Sequence, residues 1–459
     1  MNALISLSVL AVFTLLSGLT SQKRLVVPIA TFGLLIVILL TGLDWNTQLH
    51  WYNDMLFFDN YAVAFTILMA VTTFFIVLLF SNYIHQINIP LAETIALLLF
   101  ALAGGLIMVS FSNLVMLFLG IEILSVSVYV LAGARKRDFL SNEASLKYLL
   151  LGAFATGFLL FGITLIYGTS GSFHLSGIKQ YITQNIHQLP GVFYAGVFLI
   201  LIGLVFKISA VPFHFWAPDV YTGSPTLVTA FMATVVKTAG IAALYRLFSN
   251  GFGDIQSVWS KSLMIVSALT LLVGNLAAVK QESAKRMLAY SSIAHAGYFL
   301  LAIFSLGNNS SNALLLYAAA YSFASVPLFL GMIVVQQKNG QETISAFNGL
   351  VKQNPYLAFA IALALFSMAG IPPAAGFMGK FAVFSAALSK DYVGIVVLAV
   401  ITSCIGIYYY FKLIKAIYMQ PPTSEETITI TSTQKWVLTL SMLFTLLLGL
   451  APQFILNLL

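Results

Sequence analysis

Charge is what this chain has least of. Only 8% of its 459 residues are Asp, Glu, Lys or Arg, against 60% hydrophobic residues. A soluble domain of this size needs a charged surface that such a composition cannot supply. Cysteine occurs once, at Cys404 within an apolar run, so neither an intrachain disulfide nor a cysteine-held metal or iron–sulfur centre can form. There is no G-x-G-x-x-G and no Walker motif, hence no recognisable site for NADH or ATP. The longest polar stretches, 168–190 and 420–434, are too short for a catalytic domain. The net charge of +7 is not a nucleic-acid signature, because the basic residues fall in short connections between apolar runs, where they act as topology signals.

What the chain does have is long apolar runs, with a mean hydropathy of +0.97. About 14 reach the ~20 residues that cross a bilayer as a helix. They lie near 2–21, 25–42, 57–81, 91–110, 113–132, 143–167, 192–216, 225–248, 261–279, 284–306, 311–336, 354–388, 392–418 and 435–456. The runs are continuous rather than alternating, which disfavours a β-barrel. The expected fold is an all-α polytopic membrane protein in a lipid bilayer. Residues 1–20 hold no basic n-region, and Lys23 and Arg24 follow the first run, so it reads as a first span and not a signal peptide. With the N-terminus outside, inner loops collect Lys23, Arg24, Arg135, Lys136, Arg137, Lys280, Lys285, Arg286, Lys338, Lys352, Lys412, Lys415 and Lys435. The outer side keeps Lys179, Arg246, Lys261 and Lys390, so the positive-inside rule supports this orientation.

Two runs should be broken. "FKISAVPFHFWAPD" places Pro212 shortly after Lys207, and "AGIPPAAG" places Pro372 and Pro373 in a run too long for one straight span. The broken runs occupy corresponding places in spans 4–8 and 9–13, and each carries a lysine. That layout predicts a transporter built from repeats with its active charges at the breaks. The expected organisation is residues 1–90 as three N-terminal helices, 91–250 and 251–420 as two repeats, and 421–459 as a loop and last helix.

Four ionisable residues sit deep in apolar runs: Glu122, Lys207, Lys237 and Lys380. A charge at the bilayer centre costs about 3 kcal/mol or more, so such residues face the bundle interior and mark ion pathways. Glu122 and Lys207 form a candidate switchable ion pair; the plain alternatives are helix–helix glue for Glu122 and a structural partner of Glu122 for Lys207. Lys237, with no acid on its own span, lies about 12 positions from either end, too far for its stem to snorkel. Lys380 follows the second break beside Gly376 and Gly379. His214 and His295 suit a proton relay at neutral pH, although a lone histidine on an apolar helix is as often a satisfied core residue. Lys147 lies near the end of its run and can snorkel; the Tyr and Phe stripes read as packing.

Three segments carry a family resemblance: "FKISAVPFHFWAPDVYTGSPTLVTAFMATVVKTA", "KRMLAYSSIAHAGY" and "SMAGIPPAAGFMGKF". They resemble the antiporter-like subunits of respiratory complex I, the bacterial NADH-quinone oxidoreductase. The "PDVYTGSP" wording is nearest to the subunit N group, equivalent to mitochondrial subunit 2. The resemblance covers nearly the whole chain. It implies 14 transmembrane helices with two inverted five-helix repeats, and a proton relay in which Glu122, Lys207, Lys237 and Lys380 match the family's charged residues. His214 and His295 match histidines on its hydrophilic axis. It further implies proton translocation in a bacterial inner membrane, driven by partner subunits that hold NADH, FMN, iron–sulfur clusters and quinone. Other membrane-arm subunits, including a neighbouring antiporter-like one, are the implied partners. A subunit of an Mrp-type cation/proton antiporter is the alternative, and a packing subunit without transport is a further one.

Overall fold

The computed structural model describes residues 2–19, 23–87, 89–307, 309–422 and 426–459, apart from the side chains of residues 23, 82 and 84–87. Helices α1 (Asn2–Ser17) and α2 (Val26–Leu43) lead to a short antiparallel hairpin, β1 (Leu49–Trp51) with β2 (Leu56–Phe58). Then come α3 (Asn60–Ile87), α4 (Leu91–Ser110), α5 (Leu114–Ala132) and α6 (Phe139–Ser170). A helix α7 (Leu175–Gln184) lies in the next connection, and α8 (Gly191–Lys207) and α9 (Trp216–Gly223) flank a break. Helix α10 (Thr226–Phe231) passes through a π turn, Met232–Val236, into α11 (Lys237–Asn250). The second half contains α12 (Gln256–Val279), α13 (Ala284–Ser305), α14 (Ser310–Asn339), α15 (Leu350–Gln353), α16 (Pro355–Ala369), α17 (Ala375–Leu388), α18 (Val393–Met419), α19 (Ser432–Leu450) and α20 (Gln453–Leu456).

Among the described residues, 11 helices are long and apolar enough to cross a membrane, and α1, α8, α16 and α17 are shorter apolar helices. Both expected breaks are present. Helix α8 stops at Lys207, five residues before Pro212, and α16 stops at Ala369, just before the Pro372–Pro373 pair. Three features were not anticipated. Residues 49–58 carry the hairpin, the 168–190 segment carries α7, and the eighth run is interrupted by the π turn. Helix α7 buries Leu175, Ile178 and Ile182, three positions on one face, and so lies as an amphipathic helix against the bundle.

Hydrogen bonds between loops define two opposite ends. At one end β2 bridges Phe111, Asn113 bridges His174, and the backbone N–H of Leu459 donates to Asn312 at 2.9 Å. At the other, Ser283 bridges Thr343, Lys412 donates to the Gln281 carbonyl at 3.1 Å, and Ile428 N–H donates to the Gln353 carbonyl. Arg135 and Lys285, both bonded to the Ser224 carbonyl, share this second end. The stretch Thr226–Asn250 and helix α14 are wholly buried over their apolar windows, and α13 nearly so, whereas α2, α6, α12, α18 and α19 present most of their surface outward. Lys237 therefore sits on a central helix. Helices α12 and α13 approach closely because Gly274 meets the Ala294 backbone and Gly297 meets that of Leu271; a Cβ at Gly274 would lie 2.5 Å from Ala294 N. Small residues allow such backbone approach where no apolar force distinguishes helix from lipid.

Candidate functional site

The first break leaves the last carbonyls of α8 without intrahelical partners, as every helix end does. The Trp216 indole N–H, from α9, donates to the Phe206 carbonyl at 3.2 Å and joins the two halves. Ser209, inside the break, takes a positive φ of 58°. Lys207 ends α8 and is 4% exposed. Its ammonium donates to Ser125 Oγ on α5 at 2.7 Å and lies 5.6 Å and 5.9 Å from the ring centroids of Tyr148 and Tyr129. The Ser125 hydroxyl donates its own hydrogen bond to the Ile121 carbonyl.

Glu122 is half-buried on α5, one turn from the Ser125 that holds Lys207. Its carboxylate interacts electrostatically with Lys207 and with Tyr129. No contact between Glu122 and Lys207 within 4.0 Å occurs among the described residues; serine, not glutamate, is the direct partner of the ammonium here.

Lys237 opens α11 at the end of the π turn. Such a turn inserts an extra residue and rotates the following side chains relative to the preceding ones. The ammonium, 2% exposed, donates to both the carbonyl and the hydroxyl of Ser292 on α13, each at 2.5 Å. One turn along α13 is His295. Its Nδ1 is 2.6 Å from the Tyr317 hydroxyl on α14, and its Nε2 is 3.1 Å from the Tyr410 hydroxyl on α18, which in turn meets Ser291 Oγ at 2.5 Å. His295 also interacts electrostatically with both Lys237 and Lys380.

Lys380 lies in the second turn of α17. Its ammonium donates to the Ala369 carbonyl, the orphaned end of α16, at 3.0 Å, and to Ser403 Oγ on α18 at 2.9 Å. It also sits 4.9 Å from the centroid of the Tyr298 ring. The second break thus creates the acceptor that its lysine uses. Gly370, at φ +83°, ends α16 in the left-handed region and packs against the Lys380 stem.

His214 lies in the first break, its ring 4.4 Å from that of Phe215, and its buried Nδ1 has no hydrogen-bond partner among the described residues. Among the described residues no hydrogen bond or ion pair joins it to Lys207. Lys147 pairs with Glu143 and with Asp219, each at 2.7 Å, rather than only snorkelling. The sequence reading missed the tyrosines: Tyr317 and Tyr410 hydrogen-bond His295 and are not mere packing. The run Tyr408–Tyr409–Tyr410 inside an apolar helix was the available signal. It also missed Arg246, 2% exposed, which donates to Asp59 at 2.9 Å and to the carbonyls of Phe57 and Phe111.

The three deep lysines therefore share one design. Each ammonium rests on a serine hydroxyl, and among the described residues none has a carboxylate within 4.0 Å. A serine hydroxyl accepts from a charged ammonium and can donate to a neutral amine, so it serves both protonation states. Between Lys237 and Lys380 stand a histidine and tyrosines able to pass a proton.

Residues 112–406, which include all six candidate relay residues, match the family model described as NADH:quinone oxidoreductase/Mrp antiporter, TM. The NADH-quinone oxidoreductase subunit N of Cytophaga hutchinsonii is 41% identical, covering 100% of this chain and 99% of that protein. The protein of the same name from Flavobacterium johnsoniae is 42% identical over 93% of each chain. Among solved structures, a chain of respiratory complex I from Thermus thermophilus with bound aureothin is 33% identical, with a TM-score of 0.85 over 99% of this chain and 98% of that one. A chain of the Mrp complex from a Dietzia species shares the fold, with a TM-score of 0.87 over 100% of this chain and 96% of that one, at 20% identity.

Proposed function

The chain belongs to the subunit N family of NADH-quinone oxidoreductases, and from that premise we propose that it moves protons across the membrane through Lys207, Lys237, His295 and Lys380. The supporting observation is the series of buried lysines that rest on Ser125, Ser292 and Ser403, with His295 held between Tyr317 and Tyr410. Quinone reduction takes place in partner subunits, which carry NADH, FMN, iron–sulfur clusters and quinone. Its energy reaches this chain as an electrostatic change at Glu122. In the state described, Lys207 is on Ser125 and separated from Glu122. Closing that pair changes how firmly Lys207 holds its proton, because a nearby carboxylate favours the charged ammonium. When the pair separates again, Lys207 holds its proton less firmly, and the proton passes toward Lys237, through His295, to Lys380. His214, buried with a free ring nitrogen, stands at the Lys207 break as a further acceptor.

The reading includes fourteen spans. Residues 1–90 hold three of them, 91–250 and 251–420 form two inverted five-helix repeats each with one broken helix, and 421–459 hold the last. The basic end of the bundle faces inward, the N-terminus lies outside, and the protein sits in a bacterial inner membrane beside another antiporter-like subunit. The Mrp-type alternative draws on fold likeness, whereas the high-identity relatives carry the oxidoreductase name.

Lys237→Arg is the direct test. Arginine keeps the charge, but its pKa above about 12 forbids release of the proton. In sealed vesicles, an assembled Lys237→Arg complex should lose the pumping that this chain carries, and Lys237→Met should match it. Normal pumping by the arginine variant would remove Lys237 from the pathway.

A further inference from the structure

Four cations from other elements hold the C-terminal part of helix α9. Its Asp219 accepts from Lys147 of α6 at 2.7 Å and from Arg286 of α13 at 2.9 Å. Its C-terminal carbonyls accept from two more: Lys285 of α13 reaches Thr222 and Ser224 at 3.2 Å and 2.8 Å, and Arg135 reaches Gly223 and Ser224 at 3.4 Å and 3.2 Å. Cations are well placed there, where a helix C-terminus is negative. Glu143 and Glu342 complete the set, on Lys147 and Lys285 respectively.

The other side of α9 leads to Lys207. Trp216, its first residue, bonds the Phe206 carbonyl, next to Lys207, and stacks on Tyr148 with centroids 4.4 Å apart. Tyr148 in turn lies 5.6 Å from the Lys207 ammonium. Lys147 and Tyr148 are neighbours on α6, so one touches Asp219 while the other faces Lys207. On the far side, Arg286 belongs to α13, the helix that carries Ser292, the partner of Lys237, and His295. A route therefore runs from Lys207 by contact through Tyr148 to Trp216, along α9 to Asp219, across to Arg286, and along α13 to Ser292 and its partner Lys237.

We infer that α9 is the mechanical link between the Lys207 and Lys237 sites, and that Asp219 is the positioning residue that fastens it to α13. The inference rests on the relay reading above. A shift of the Lys207 environment moves Tyr148 and Trp216, α9 follows as a unit, and the Asp219–Arg286 tie carries the displacement into α13. Asp219, Lys147 and Arg286 are each about a third exposed (35%, 39% and 36%), so the fastening sits at the rim of the bundle, away from the proton path itself.

The test uses the assembled, purified complex and follows hydrogen–deuterium exchange of the amides of residues 284–295. Lys207→Gln is expected to change that exchange by about fivefold or more, the lower range of allosteric coupling. Asp219→Ala should abolish this Lys207-dependent difference, and Asp219→Glu should restore it. If Asp219→Ala fails to assemble, Lys147→Ala combined with Arg286→Ala removes the same two contacts from the other side and must give the same loss. A Lys207-dependent difference that persists without the Asp219 tie overturns the inference. So does the absence of any effect of Lys207→Gln on residues 284–295. A merely structural anchor would change exchange equally in both Lys207 backgrounds. Because the readout is exchange rather than pumping, failure here leaves the relay standing, while normal pumping by Lys237→Arg sinks the relay whatever the exchange shows.

Discussion

The Lys237 ammonium donates to both the carbonyl and the hydroxyl of Ser292, each at 2.5 Å, across the interface between α11 and α13. Ser292→Ala leaves the carbonyl but removes the hydroxyl that serves the neutral amine. Loss of one buried hydrogen bond to a charged group costs about 1–3 kcal/mol. Proton pumping by the assembled complex should therefore slow by roughly tenfold or more, and Ser292→Thr, which keeps a hydroxyl, should recover most of it. Pumping rates in sealed vesicles decide between the two.

Gly370 is the second point of sensitivity. Its φ of +83° is costly for any residue with a Cβ, and a Cβ there would lie 3.0 Å from Lys380 Cδ. Gly370→Ala should destabilise the chain by about 1–2 kcal/mol from the backbone alone. It should also push Lys380 off the Ala369 carbonyl. A lowered melting temperature together with reduced pumping is the expected pair of results; Ala374→Gly, on the other side of the break at an ordinary φ of −77°, should leave pumping unchanged.

Arg246 and Asp59 tie α11 to the hairpin end of the bundle. The guanidinium side chain is 2% exposed and the carboxylate 25%. Removing one partner of a buried pair strands the other, at a cost of about 3–5 kcal/mol. Arg246→Ala should accordingly lower the yield of assembled complex and its thermal stability. Asp59→Asn, which can still accept from the guanidinium, should be milder by both measures.

Asp219 gives a pH prediction. Burial by itself pushes its carboxyl up, but the hydrogen bonds from Lys147 and Arg286 outweigh that and hold it below the usual carboxylate range. A carboxyl depressed in the folded state binds fewer protons there than in the unfolded chain. Its stabilisation is complete above the unfolded value of about 4, and is lost as pH falls through the folded value. The stability difference between the native chain and Asp219→Asn should be flat from about pH 7 to 5 and shrink only below about pH 4. With all three groups partly exposed, that difference should not exceed about 1 kcal/mol. Thermal unfolding of both forms across this range is the measurement.

Much of the architecture was legible in the residues. Apolar runs of spanning length fix helices because a backbone in lipid must satisfy its own polar groups. The breaks were readable from Pro212 and from Pro372–Pro373, since proline removes a donor and clashes with the preceding turn. Proline alone is not decisive, however: Pro327 lies within α14, which runs on to Asn339. The deep positions of Lys207, Lys237 and Lys380 were equally readable, because an uncompensated charge in an apolar run cannot face lipid. The π turn before Lys237 left no such trace; Met232–Val236 has the composition of an ordinary buried helix.

The sequence by itself determined that this is a helical membrane protein with two broken helices and three lysines kept out of lipid, since local apolar length, proline and charge each act within one run. Only the tertiary structure decided what those lysines touch. Ser125, Ser292 and Ser403 lie 82, 55 and 23 residues from their lysines, and Tyr317 and Tyr410 lie 22 and 115 residues from His295. The grip of four cations on α9 is likewise built from three separate parts of the chain. Such pairings follow from helix packing across the bundle, where small residues and crossing positions set which side chains meet, and no period within a single helix encodes them.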